Sequence, residues 1–388
     1  MPDGSLIFPA AEYRRRIQAM QREMSQRSLD ALLLTTPADV FYTTGFLTRF
    51  WESPARPWFV VVPSSGDPVA VIPAIGSDLM GRCWISDIRT WDAPDPVDDG
   101  VTLLADTLMS LVPVAGKIGI PMGQESHLRM PVADFRRLQD RIAPRKIIDG
   151  TAAVYRVREI KSEAEIDKIR ATCAVADAAF ARVPEFVRQG VPLSKVFRDF
   201  QIALLQEGAD WVSYVAGGAE QGGYGDVISA AHNIPLRNGD VLMLDTGAVR
   251  DGYFCDFNRN FAIGPASDDV RRAHAALFAA TNTALTALRP GMLACDLHHI
   301  MTEELERQGA VVGAGRLGHG LGVALTEWPS MTPLDKTELR EGMVLTLEPG
   351  VQIASDRILV HEENIVLRSD GPELLSRRAP AEMQEITR

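Results

Sequence analysis

Three apolar runs in the second half of the chain lead into carboxylates, and this pattern limits the fold more than any other feature. Val241-Leu242-Met243-Leu244 runs into Asp245, and Met343-Val344-Leu345-Thr346-Leu347 runs into Glu348. Ile358-Leu359-Val360 leads into His361-Glu362-Glu363, with Ile365-Val366-Leu367 close behind. Short apolar runs bounded by turn residues read as buried strands. A carboxylate in such a strand is costly to desolvate unless it is paired or coordinates a metal.

The segment after Asp245 sharpens the constraint. Arg250-Asp251-Gly252 reads as a hairpin turn, followed by Tyr253-Phe254-Cys255-Asp256-Phe257. If Arg250 and Asp251 are the central turn residues, Asp245 and Asp256 face each other with Cβ atoms ~5 Å apart. A turn centred one residue later makes them diagonal neighbours instead. Like charges this close are costly without a cation between them; the alternative is a pair of solvated hairpin aspartates. Gly318-His319-Gly320-Leu321-Gly322 sets one imidazole among glycines that allow close backbone approach. Alone, such a histidine reads as structural. With Asp245, Asp256, Glu348 and Glu362, His319 completes a set suited to two divalent ions such as Mn²⁺, Co²⁺, Fe²⁺ or Zn²⁺. Mg²⁺ fits less well, because it keeps several waters and usually meets one or two carboxylates.

At 388 residues the chain has room for two domains. Residues 1–152 read as a small α/β unit. A helix over 11–27 carries Tyr13, Ile17, Met20 and Met24 on one face, and strands follow at 31–34, 58–62, 69–72, 117–120 and 146–148. The pattern changes between 150 and 160. Residues 153–388 then read as an α+β catalytic domain with an antiparallel sheet. Ser162 and Glu165 form a capping box that opens a helix with Ile166, Ile169, Cys173, Ala176, Phe180 and Val183 on its apolar face. Further helices are expected at 191–207, 268–287 and 294–308, and antiparallel strands around 239–263 and 341–367.

Composition removes several functional classes. The chain has 40 basic and 51 acidic residues, a net charge of −11, and no concentrated positive patch for a nucleic acid. Its densest basic run, Arg14-Arg15-Arg16, falls in an expected surface helix. The four cysteines lack C-x-x-C spacing, which argues against a disulfide framework or a thiolate zinc site. No apolar run reaches membrane-spanning length, and MPDGSLIFPAAEYRRR lacks the apolar core of a signal peptide. A cytoplasmic setting without membrane or nucleic-acid partners is expected.

The stretches LDTGAVRDGYFCDFNRNFAIG, GHGLGVALTEWP, MVLTLEPG and ILVHEEN together resemble the creatinase/prolidase/methionine-aminopeptidase superfamily, which has the pita-bread fold. The eleven-residue step from Asp245 to Asp256 and the order D, D, H, E, E carry the resemblance. Residues 1–150 resemble the family's creatinase-type N-terminal domain, with Thr44-Gly45-Phe46 at a similar turn. The resemblance implies that Asp256 and Glu362 bridge two ions, Mn²⁺ foremost. Asp245 then completes one site, and His319 with Glu348 the other. It also implies that Glu348 is the general base. Two ions ~3.5–4 Å apart would lower the pKa of a water held between them and polarise the scissile carbonyl, so that a C–N bond breaks. The family's dimers further imply a homodimer in which the loop Arg49–Trp58 reaches over the partner's site. There Arg56 would clamp the carboxylate of a small zwitterionic or carboxylate-bearing substrate. Packing of Trp51 and Trp58 at a domain interface is the alternative for this loop.

Two features depart from the peptidase pattern. Proline-specific members carry a histidine seven residues after the metal histidine; here Thr326 stands in that place, and a hydroxyl cannot carry positive charge near neutral pH. His232-Asn233-Ile234-Pro235 imitates the family's H-x-x-P, but about four residues too close to Gly239-Asp240. His232 is therefore either a substrate contact or no counterpart at all. With the histidine at 326 gone, specificity is expected to rest on Arg56, His361 and a mobile wall at Gly217–Gly225. Gly313-Ala314-Gly315-Arg316-Leu317-Gly318 spells G-x-G-x-x-G, but prolines follow rather than the helix that a dinucleotide site needs. His298-His299 reads as a helix surface. The leading function is an Xaa-Pro dipeptidase- or aminopeptidase P-like metallohydrolase. The rivals are a non-peptide C–N hydrolase of creatinase or ectoine-hydrolase type, a metal-dependent lyase, and a binding module that has lost catalysis. The intact ligand set argues against the last.

Overall fold

Ala31–Leu34 (β1), expected as a buried strand, lies near the centre of a six-stranded sheet in the computed structural model, which describes residues 6–313 and 315–387. Its neighbours are Phe59–Pro63 (β2), Val69–Pro73 (β3), Asp87–Trp91 (β4), Lys117–Ile120 (β5) and Lys146–Asp149 (β6), in the order β4-β3-β2-β1-β5-β6. The β1–β2 and β2–β3 pairs are antiparallel and the others parallel. All residues of β1, β2 and β3 are buried, as befits strands covered on both faces. Leu33, Phe59, Val61 and Val71 pack with Leu104, Leu108, Leu138 and Ile142, which come from the helices at 101–111 and 132–142. β4 escaped the sequence reading because its residues are polar or half-exposed, as on an edge strand.

The helix Ala10–Gln26 buries Tyr13, Ile17, Met20 and Met24 as expected. Arg16 corrects the surface reading of the arginine triplet. It is fully buried, with its guanidinium 4.7, 5.3 and 4.3 Å from the ring centroids of Phe8, Tyr13 and Tyr42. Thr44-Gly45-Phe46 closes the helix Pro37–Thr44. Gly45 has φ 79°, and a Cβ there would lie 2.7 Å from the Tyr13 hydroxyl, so glycine satisfies both backbone and space. The chain divides into two compact units, Met1–Arg158 and Glu159–Arg388. The division falls later than 152/153 because the helix Thr151–Arg158 packs on the first unit, where Arg158 makes a buried ion pair with Asp39 at 2.8 Å.

In the second unit the capping box at Ser162 and Glu165 forms and opens the helix Glu163–Ala181. Val183 is buried but begins the next short helix. One sheet comprises Trp211–Ala216 (β7), Ala219–Gln221 (β8), Asp240–Arg250 (β9), Tyr253–Phe254 (β10) and Phe257–Ile263 (β11). Three more strands sets follow in the chain: Val311–Val312 (β12), His319–Gly320 (β13) and Glu327–Ser330 (β14), then Val344–Leu347 (β15), Gly350–Ala354 (β16) and Arg357–Val360 (β17), then Glu363–Arg368 (β18), Gly371–Leu374 (β19) and Gln384–Ile386 (β20). β9 pairs with β7, β8, β10 and β11, and β20 joins β11 in parallel. A second sheet runs β14-β13-β15-β18-β19 and a third β12-β16-β17. The helices Leu193–Gln206, Asp268–Ala287 and Ala294–Arg307 match those expected.

Three local readings change. Arg250 pairs with Tyr253, so the hairpin turns on Asp251 and Gly252, both at positive φ (53° and 79°) as a type I′ turn requires. Asp245 therefore faces Asn258, with Asp256 diagonal to it rather than opposite. Gly217–Gly225 is not a wall of the cavity described below: it contains β8, tied to β9, and Met243 N–H donates to Gly218 O at 2.9 Å. The G-x-G-x-x-G segment, whose Ala314 lies outside the described residues, leads into the short strands β13 and β14 and not into a helix. Among the described residues no helix is long and apolar enough to cross a membrane, and the four cysteines are free.

Candidate metal centre

Strand ends from two sheets converge here. Asp245 projects from β9, Asp256 from the gap between β10 and β11, and His319 from β13. Glu348 directly follows β15, and Glu362 directly precedes β18. They form two groups, Asp256 with His319 and Glu348, and Asp245 with Asp256 and Glu362. Within each, one ligand atom per residue lies within 4.8 Å of the others. Asp256 belongs to both groups, whereas Glu362 belongs to the Asp245 group alone.

The backbone aims the histidine. His319 N–H donates to Thr346 Oγ1 at 2.9 Å, and its Nδ1 lies 2.8 Å from Gly320 O. A proton on Nδ1 leaves Nε2 as the lone-pair donor, the tautomer a metal needs. Nε2 sits 2.9 Å from Glu348 Oε1 and 3.1 Å from Asp256 Oδ2. Gly318 makes this approach possible: at φ 144° a Cβ would sit 2.3 Å from Thr346 O.

Several supporting residues were not singled out from the sequence. Tyr214 on β7 donates its phenol to Asp256 Oδ1, and Thr346 donates its hydroxyl to Glu348 Oε1. Asn364 brackets the Asp256 backbone, accepting from its N–H at 3.0 Å and donating to its carbonyl. Arg259 donates to Glu362 O at 2.8 Å and to Glu363 Oε2 at 3.0 Å. Thr346 did leave a signal, as a polar residue inside an apolar strand. Tyr214 left none.

Electrostatics shows what the cluster lacks. Burial, then repulsion from Asp256 and Glu348, pushes Asp245 well above the usual carboxylate range. Burial and the neighbouring carboxylates do the same to Glu362, and burial outweighs His319 at Asp256. At Glu348 burial is overcome by His319 and Thr346, and its pKa is lowered. His319 is raised to about 10: burial opposes the charge, but Glu348 and Asp256 prevail. Asp245 Oδ1 is buried without a hydrogen-bond partner. An orphaned carboxylate oxygen within a crowded anionic set fits divalent cations, and the oxygen-rich donors with one imidazole fit hard or borderline ions.

The five side chains line a cavity of about 570 Å³. Its other walls include Tyr214, Arg316 and Thr326, together with the apolar Val215, Ala216, Val227, Ile228, Leu317, Leu325 and Val360. Thr326 is half-buried, and its Oγ1 accepts from Arg316 Nη2 at 3.2 Å. The loop before it is pinned by Glu327, which accepts from Ala324 N–H at 3.1 Å and pairs with buried Lys161 at 3.1 Å.

Two other expected site residues, His232 and His361, lie outside this cavity. His232 is exposed, its Nδ1 accepting from Ile234 N–H at 3.2 Å, and it is not a wall of the cavity. Arg56 belongs to the first unit, at φ 61° with its guanidinium 5.8 Å from the Phe50 ring centroid. Arg129 fastens that loop through Ser53 O at 2.6 Å, and Phe46, Trp51 and Trp58 pack together within the unit. His361 is buried outside the cavity, 3.3 Å from Glu363 Oε1 and 3.2 Å from Arg378 Nη1. It lies in the link between β17 and β18. His299 reaches Glu303 on an exposed helix face at 2.9 Å, as its surface reading expected.

His361 gives a pH signature. Burial, with help from Arg259 and Arg378, lowers its pKa from the ordinary 6.5 to about 4 despite Glu363. As pH falls from 6.5 toward 4, the unfolded chain takes up a proton that the native state refuses, so stability is lost across that window. Between pH 7 and 4.5 the melting temperature should therefore fall less steeply in His361→Phe than in the unmodified chain. Parallel slopes would remove His361 as the cause.

A mixed α/β unit followed by sheets that gather four carboxylates and one imidazole in a cavity defines a two-domain metallohydrolase architecture. Residues 167–369 match the model of metallopeptidase family M24, and residues 16–160 match the creatinase/prolidase N-terminal domain. The chain belongs to metallopeptidase family M24: it is a hydrolase with a creatinase-type N-terminal domain and a pita-bread catalytic domain. A probable dipeptidase PepE of Mycobacterium bovis is 28% identical over 95% of each chain. An Xaa-Pro dipeptidase of Pyrococcus furiosus is 24% identical, covering 93% of this chain and 97% of its own. The crystal structure of dipeptidase PepE from Mycobacterium ulcerans superposes with a TM-score of 0.85 at 27% identity, covering 98% of this chain and 99% of that one.

Proposed function

We propose that this chain hydrolyses the C–N bond of a dipeptide-sized amide with two divalent ions, Mn²⁺ first among them. The observation that carries this reading is the pair of ligand groups sharing Asp256 in one cavity. Asp245, Asp256 and Glu362 would hold one ion, and Asp256, His319 and Glu348 the other. Bound divalent ions supply Lewis acidity toward the carbonyl and make a nearby water more acidic. The chain's own residues do the rest. Thr346 fixes Glu348 through its hydroxyl, and the carboxylate stays below its usual range, so it is ionised at neutral pH and can accept a proton. Glu348 takes the proton that the attacking water loses and returns it to the leaving nitrogen. Tyr214 steadies Asp256, and the apolar walls limit access of bulk water. The names of the relatives favour dipeptides. The threonine at 326 favours a compound other than Xaa-Pro, which keeps a non-peptide C–N substrate as the second reading.

Metal analysis paired with a screen of Xaa-Pro dipeptides, other dipeptides and cyclic amidines tests the proposal. About two ions per chain and turnover abolished by chelation are expected. Turnover indifferent to chelation would overturn it.

A further inference from the structure

We infer that Asn258 is a positioning residue of the metal centre, whose carboxamide donates to the Asp245 and Glu362 carboxylates when the centre holds its ions. The inference rests on the metal-dependent reading above and adds to it a residue outside the five ligands. Asn258 lies on β11 directly opposite Asp245 on β9, so the two side chains share one face of the sheet. Arg259 Nη1 donates both to Asn258 O at 2.6 Å and to Glu362 O at 2.8 Å, which clamps the backbones of Asn258 and Glu362 together. Asn258 thus adjoins two members of one ligand group.

Its amide is the exception among the buried asparagines. Asn260 donates to Val360 O at 2.6 Å and accepts from the Tyr224 hydroxyl at 3.0 Å, and Asn364 holds the Asp256 backbone. Asn258 is 1% exposed, yet neither Oδ1 nor Nδ2 has a hydrogen-bond partner among the described residues. Asp245 Oδ1, across the strand pair, is orphaned too. A buried amide left unpaired costs stability, whereas an apolar side chain of the same shape costs little. The acceptors that would satisfy this amide are the carboxylates beside it. Burial, then the neighbouring carboxylates, raises the pKa of Glu362; the Asn258 side chain opposes them from just beyond a closed hydrogen bond. Nδ2 carries two protons, one for each carboxylate, and donation to a charged acceptor is the stronger kind. Such bonds orient a ligand toward its cation.

The test combines calorimetric Mn²⁺ binding with thermal melting of the full chain, stripped by a chelator and reloaded. Asn258→Leu, close in shape, should weaken binding of one ion ~10- to 100-fold, the usual effect of losing a residue that orients a ligand. Without metal the same variant should melt no earlier than the unmodified chain, because it removes an unpaired amide. Asn260→Leu is the contrast, since it strips partners from formed hydrogen bonds and should melt earlier with or without metal. Asn258→Thr keeps a donor on a side chain suited to a strand and should recover most of the Mn²⁺ affinity. If the leucine variant does not fold, Asn258→Ala and Asn258→Thr decide, because affinity must be lost in the first and kept in the second. Undiminished Mn²⁺ binding by Asn258→Leu or Asn258→Ala overturns the inference, as does a folded leucine variant that melts earlier without metal. With two ions bound by the unmodified chain, those results sink the inference alone. An unmodified chain that binds no divalent ion brings down the metal-dependent reading with it.

Discussion

Asp256→Ala should empty both halves of the metal centre at once. Its carboxylate belongs to both ligand groups and accepts from Tyr214, while Asn364 holds the Asp256 backbone. Losing a residue that merely orients a ligand commonly costs 10- to 100-fold in metal affinity or activity. Losing the shared ligand should therefore cost more than about 100-fold in turnover, with metal content falling well below that of the unmodified chain. Asp245→Ala is the comparison, since it removes a ligand from one group only and should spare the other ion. Two ions per chain retained by Asp256→Ala would sink the assignment.

Thr326→His should raise turnover of Xaa-Pro dipeptides by ~10²–10³-fold, the usual worth of one well-placed donor at a developing oxyanion. Thr326 lines the cavity beside Arg316, so an imidazole there would face the same space. The unmodified chain should accordingly be a poor Xaa-Pro dipeptidase and turn over another amide far faster with the same ions. That expectation fails if it already cleaves Xaa-Pro dipeptides with kcat/KM in the ordinary range of ~10⁴–10⁸ M⁻¹s⁻¹. A variant that gains nothing would mean that the missing histidine is not what limits it.

Asp245, Glu348 and Glu362 were legible because carboxylates at the ends of apolar strands demand an explanation, Asp256 from its hairpin spacing, and His319 only in their company. The hairpin register was legible only as two alternatives. The type I′ turn decided between them, because Asp251 and Gly252 tolerate the positive φ that it imposes on both central residues. His361 was misplaced because it falls in the short link between β17 and β18, where sequence does not say which way a side chain turns. Tyr214 was out of reach, since its position depends on β7 docking against β9 and on Gly247, where a Cβ would come within 2.4 Å of the tyrosine ring. Arg16 was misread because charge alone does not say that three aromatic rings await it.

The scattering of the ligands along the chain also affects how the molecule is made. During synthesis Asp245 and Asp256 leave the ribosome first, and Glu362 only after β15, β16 and β17 have emerged. A nascent chain that has reached His319 holds three of the five side chains, and neither group is complete. On the proposed ligand set, metal capture would be a late event that awaits the pairing of β15 with β18. The half-made protein would then be a poor trap for scarce ions, and a loaded centre would mark a catalytic unit whose strands have all found their places.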